Sequence, residues 1–163
     1  MNYLKRLKNL KFKNHLLFGL LLGLLYIKIF DIKNKYLALF IILVSSIFVD
    51  IDLSKSKIGR RTRPISSLIN IIFSHRGIIH SAYIPLLLFL ILYLKNYESI
   101  GIAILIGYIG HLLLDGLTKE GVHLFYPFLD FKGFIKVGGL VEKIIFIGLL
   151  VLNVIIIVKF YIM

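Results

Sequence analysis

Five apolar runs, at about 15–30, 36–50, 77–94, 100–117 and 140–158, alternate with charged links along the chain. Runs of this kind predict membrane helices. Several hold only about 15–18 apolar residues, against the roughly 20 that cross a bilayer comfortably. Either the helices continue past their apolar parts, or their polar ends are protected within the protein. The links are Asp31-Ile32-Lys33-Asn34-Lys35, a long basic segment over 51–76, Lys95-Asn96-Tyr97-Glu98-Ser99, and the segment 118–139. Within the basic link, 65–73 reads as a short interfacial or re-entrant helix. The expected fold is therefore all-α: one polytopic bundle over 1–163, with about five transmembrane helices and no internal repeat.

Composition narrows this further. The 163 residues are 59% hydrophobic and only 17% charged, with a mean hydropathy of +0.93. That is too apolar for a soluble domain and too short for more than one membrane domain. The Lys-rich start runs into its apolar stretch with no small-residue cleavage site, so a retained first helix is expected rather than a signal peptide. There is no cysteine. Disulfides, Cys nucleophiles and thiolate zinc sites are excluded, and any metal must be held by imidazole and carboxylate.

The net charge of +12 raises nucleic acid as a partner, but the placement of the charge argues against it. The basic residues flank the apolar runs, as they do where a membrane protein meets anionic lipid headgroups. Fifteen of the 20 Lys and Arg fall in the N-terminal stretch, the second link, and the fourth link with Lys143 just beyond it, leaving Lys28, Lys33, Lys35, Lys95 and Lys159 for the other side. The positive-inside rule then puts the N-terminus in the cytoplasm and the C-terminus outside.

That topology gathers the polar chemistry. His15 begins the first run, Asp50 and Asp52 close the second, His75 and His80 open the third, and His111 and Asp115 lie in the last turns of the fourth. Successive spans reverse direction, so groups late in even spans and early in odd ones meet at one face. His111 and Asp115 are four apart, which stacks both on one side of a helix. An Asp costs a few kcal/mol inside a membrane helix and marks a site, a partner or a pathway.

Each of these residues also has a plainer reading. His111 and Asp115 can glue neighbouring helices, Asp50 and Asp52 can solvate a helix end, and His15 can sit at the interface. Arg76 can meet phosphate or carboxylate, or anchor at headgroups. His123 and Glu142 are weaker candidates, with Lys143 or solvent as the expected partner of Glu142. Jointly the four segments point to a single or polynuclear metal site with N and O ligands that activates water. His15, Asp50, His80, His111 and Asp115 are the expected ligands. Asp52 and His75 complete the shell or serve as base and orienter. Arg76, with Arg60, Arg61 or Arg63, meets an anionic substrate. Zn²⁺ is the first expectation, with Mn²⁺ or Mg²⁺ as alternatives, and membrane lipid and an anionic small molecule or lipid are the expected partners.

Several ordered motifs match a known family: Asn14-His15-Leu16-Leu17-Phe18-Gly19, Val49-Asp50-Ile51-Asp52, Ser74-His75-Arg76-Gly77-Ile78-Ile79-His80-Ser81 and Gly110-His111-Leu112-Leu113-Leu114-Asp115. With Gly121-Val122-His123-Leu124-Phe125-Tyr126-Pro127-Phe128 they resemble the YdjM-like family of membrane-bound, metal-dependent hydrolases over residues 14–128. Val49 stands where the family pattern has proline, and Gly110 where it has serine. The resemblance implies hydrolysis on a membrane-embedded helical scaffold, without naming a substrate. More distantly, the His/Asp set is similar to the zinc phospholipase C and P1-nuclease group, which implies phosphoester chemistry. Other readings stay open: a small ion or proton transporter, a non-catalytic membrane scaffold, or a lipid phosphatase of the PAP2 type. For the last, Lys57, Arg63-Pro64 and His111-x-x-x-Asp115 resemble the outer motifs, but the middle Pro-Ser-Gly-His is absent.

Overall fold

The computed structural model describes residues 2–52 and 80–162, with side chains described over 11–50 and 80–160. Five α-helices make the frame: α1 (Asn2–Ile29), α2 (Lys35–Phe48), α3 (Tyr83–Leu94), α4 (Glu98–Gly116) and α5 (Leu140–Ile157). A 3-10 turn (Val49–Asp52) extends α2, and a π turn (Val158–Ile162) extends α5. The protein is mainly helical, as the apolar runs predict. Stretches 65–73 and 77–79, and with them the expected interfacial helix, lie outside the described residues.

Among the described residues, three helical stretches are long and apolar enough to cross a membrane: Lys11–Ile29, Glu98–Gly116 and Leu140–Phe160. Helices α2 and α3 have 14 and 12 residues. At 1.5 Å per residue these measure only about 18–21 Å, less than a hydrocarbon core of roughly 30 Å. The third run begins its helix at Tyr83, so His80 sits in the turn before α3. Pro85 falls in the first turn of α3, where a missing N–H costs no hydrogen bond.

Helix α4 is the hub, packed against α1, α2 and α3, while α5 lies along α1. Close approach depends on small residues. A Cβ on Gly107 would fall against the Ile42 carbonyl of α2, and one on Gly19 of α1 would meet the Ser46 side chain. Where lipid is as apolar as the side chains, such tight contact supplies the packing energy that water would otherwise drive. Asn153, buried on α5, ties that helix to α1 by donating to the Leu17 carbonyl at 3.0 Å and to its own Leu149 carbonyl at 2.7 Å. The outer side of α5 carries exposed Val141, Ile144, Ile147, Val151 and Ile155, the surface expected to face lipid.

The all-α expectation fails in one place. Segment 118–139 contains an antiparallel hairpin, β1 (Val122–Phe125) with β2 (Leu129–Phe131). Gly121, Pro127 and Gly133 punctuate this stretch and disfavour helix, and Gly121 takes a positive φ of 68° that suits glycine. The hairpin is pinned beside the ends of two helices. Ala82 N–H donates to the Leu124 carbonyl at 2.9 Å, and the Phe131 ring covers Gly116.

Candidate metal centre

His15, Asp50, His80, His111 and Asp115 converge, each 7% exposed or less. They come from α1, the 3-10 turn after α2, the turn before α3, and α4. Among the described residues two ligand groups emerge: His15 with His111 and Asp115, and Asp50 with His80 and His111. Within each group one ligand atom per residue lies within 4.8 Å of the others. His111 belongs to both and stands between them. Its ring stacks on His15 at 3.8 Å between centroids and meets His80 edge-on at 5.7 Å.

The tautomer of His111 follows from the end of α2. The last carbonyls of a helix lack intrahelical N–H partners. That of Ser46 accepts a hydrogen bond from His111 Nδ1–H at 2.7 Å. A carbonyl can only accept, so Nδ1 carries the proton and a neutral ring keeps its lone pair on Nε2. That nitrogen has no hydrogen-bond partner despite being buried. Asp115 Oδ2 is 3.7 Å away and Asp50 Oδ1 is 3.8 Å away, both too far for a hydrogen bond.

Those distances suit a shared cation. Ligand atoms about 2.0–2.1 Å from a tetrahedral ion lie about 3.3 Å from one another, and a slightly open set is close to that. A ligating His whose other nitrogen donates to a backbone carbonyl is the usual supported arrangement. Both ring nitrogens of His15 are also buried without a hydrogen-bond partner, although Nε2 lies 3.2 Å from Asp115 Oδ1. Three imidazoles and two carboxylates without sulfur fit Zn²⁺ and neighbouring divalent metals.

Lys11 is a participant that sequence reasoning missed, since it counted only as one of many flanking cations. Its ammonium lies 2.9 Å from Asp115 Oδ1 and donates to Oδ2 at 3.0 Å, so Asp115 already has one cation beside it. A small cavity of about 30 Å³, room for a water, lies among Lys11, Asn14, His15, Asp115, Thr118 and Glu142. Glu142 is buried rather than solvated. It accepts from Asn14 Nδ2 at 3.4 Å and from the Gly138 N–H, which joins the start of α5 to α1. Thr118 donates to the Asp115 carbonyl at 2.7 Å and closes the end of α4.

The remaining candidates fall elsewhere. His123 lies on β1 and hydrogen-bonds Asp130 across the hairpin, in neither ligand group. Asp52 belongs to the 3-10 turn beside Asp50, but its side chain is outside the described residues, as are His75, Arg76 and the arginines at 60, 61 and 63.

Residues 10–162 match the family described as YdjM inner membrane protein. The chain belongs to that family. An uncharacterized protein from Bacillus subtilis, YvsG, is 31% identical over 111 residues, covering 65% of this chain and 69% of its own length. The inner membrane protein YdjM of Escherichia coli is 36% identical over 91 residues, covering 52% of this chain, and so is YdjM of Shigella flexneri. The chain spans 46% of those two YdjM relatives. No solved structure matches it. Membership and the apolar helices make this YdjM-family chain a membrane protein, with a buried His/Asp cluster able to hold a metal.

Proposed function

We propose that this YdjM-family chain is a metal-dependent hydrolase of the cell membrane, acting on a phosphoester or another anionic amphiphile at the cytoplasmic face. One observation carries the reading: His111 Nε2, left with its lone pair by the Ser46 hydrogen bond, faces Asp50 and Asp115 at non-bonding distance. His111, His15, His80, Asp50 and Asp115 would hold the ion. Because His111 offers a single free nitrogen, the two ligand groups describe one His111-bound centre rather than two. When bound, a divalent ion there supplies a Lewis acid and makes water acidic enough to attack near neutral pH.

The chain's own residues supply the rest. Lys11 keeps a positive charge at Asp115, where it favours an anionic group approaching the centre. The cavity beside His15 and Glu142 has room for a water within reach of buried polar groups. On sequence grounds Asp52 and His75 are assigned as base and orienter, and Arg76 as the contact to the substrate's anion. Five spans with the N-terminus inside and the C-terminus outside complete the proposal, resting on the lysine and arginine distribution.

The test is hydrolysis of a generic aryl phosphate by purified, reconstituted protein before and after chelation, with Zn²⁺, Mn²⁺ or Mg²⁺ restored. Activity that chelation removes, that one metal restores, and that H111Q lacks is the expected result. Activity indifferent to chelator, or equal in H111Q, rejects the proposal.

A further inference from the structure

The hairpin between α4 and α5 exposes more apolar aromatic surface than a water-facing loop would. Phe128 at its tip is 86% exposed and Phe134 is 74% exposed, with Tyr126, Leu129 and Phe131 also on the surface. Phe131 is half-covered by its contact with Gly116, but Phe128 and Phe134 stay largely exposed among the described residues. Around them lie exposed Lys119, Lys132, Lys136 and Lys143, outnumbering the exposed acids Glu120 and Asp130. Aromatic rings beside lysines form the composition that settles at the boundary between hydrocarbon and headgroups.

We infer that the β1–β2 hairpin is seated in the surface of the protein's own bilayer, with Phe128 and Phe134 among the acyl ends of the headgroup layer and the lysines at lipid phosphate. Continuity with the membrane selects this occupant. The segment leaves one span-length helix at Gly116 and enters another at Leu140, so its tip stays close to the membrane surface. Its backbone polar groups are compatible with that depth, because β1 and β2 pair with each other, Leu124 accepts from Ala82 and Ile135 donates to Leu117. The seating has a consequence for the neighbouring centre. The Ala82–Leu124 bond and the Phe131 ring on Gly116 fix the hairpin against the segments bearing His80 and Asp115. A hairpin lying in the headgroup layer sets that centre at the depth of lipid phosphates, whether or not it hydrolyses them.

The chain contains no tryptophan, so F128W and F134W each introduce a single indole with no background. Both positions are exposed, and two variants guard against one failing to fold. The full chain is reconstituted in vesicles of phosphatidylcholine and phosphatidylglycerol. Emission is then measured with aqueous acrylamide and with lipids brominated at shallow or deep acyl positions. Blue-shifted emission, quenched severalfold more by shallow-brominated lipid than by acrylamide, is the result expected for both variants. Red emission quenched mainly by acrylamide places the tip in water and overturns the inference. So does blue-shifted emission that no brominated lipid quenches, which places the tip against protein rather than lipid. None of these readings depends on metal or activity, so the seating and the proposed hydrolysis stand or fall separately.

Discussion

Two His–Asp pairs in this protein use the same side chains to opposite effect. On the hairpin, His123 and Asp130 sit cross-strand, hydrogen-bonded to each other, with Lys132 Nζ 3.4 Å from the second carboxylate oxygen. In the bundle, His111 turns one nitrogen to a helix-end carbonyl and presents the other to Asp50 and Asp115 across gaps of 3.8 and 3.7 Å. The hairpin pair is partly exposed and satisfied by its own partners. The bundle pair is sealed in protein, where an unmade hydrogen bond costs about 1–3 kcal/mol, so the geometry stays in deficit unless something else enters. A His next to an Asp is therefore weak evidence of a metal site, and what the other ring nitrogen does decides.

The largest break in that comparison comes from Asp115→Ala. It removes the carboxylate that lies beside Lys11 and His15, and removing one partner of a buried pair costs about 3–5 kcal/mol. A thermal unfolding curve in detergent should shift down strongly, and metal content should fall with it. Next, His111→Gln removes the shared nitrogen. Loss of even an outer-shell partner lowers metal affinity about 10–100-fold, so a ligand change should fall at or beyond the top of that range in a competition titration. Wild-type affinity in this variant would remove His111 from the centre.

Smaller effects test the scaffold and the hairpin pair. Asn153→Leu deletes the tie from α5 to the Leu17 carbonyl, and interhelical hydrogen bonds in membranes average about 0.6 kcal/mol. A small drop in unfolding midpoint with unchanged metal content is expected, since Asn153 lies away from the ligands. His123→Ala should leave metal binding untouched and move one titration. The His123 hydrogen bond first, and Lys132 second, hold the Asp130 carboxyl below its ordinary value. A depressed carboxyl contributes stability above its unfolded pKa of about 3.9 and loses it as pH falls through the folded value. In His123→Ala the Asp130 carboxyl should titrate closer to 3.9, read by NMR of the labelled carboxylate.

Much of the frame was legible because lipid-facing and buried helices both demand apolar side chains, and the runs at 36–50, 100–117 and 140–158 became α2, α4 and α5 within a few residues. The convergence of His15, Asp50, His80, His111 and Asp115 was legible as well, because their places at the ends of successive apolar runs suggested one shared end. Four features were not. Ser46 acts through its carbonyl, which no side-chain pattern announces. Lys11 looked like one more flanking cation, and only folding shows it against Asp115. The hairpin was hidden because its residues lack a strict period and its pairing bridges a turn at Tyr126-Pro127. Glu142 was expected to face Lys143 or solvent, yet a helix packed along α1 turns it to Asn14 instead.

The central claim is that one divalent ion sits at His111 Nε2. Anomalous diffraction at the absorption edge of whichever metal copurifies tests it most directly. One peak bounded by His111 and by carboxylate from Asp50 or Asp115 is the predicted result. A peak at His123 and Asp130, or no peak in protein supplied with metal, contradicts it.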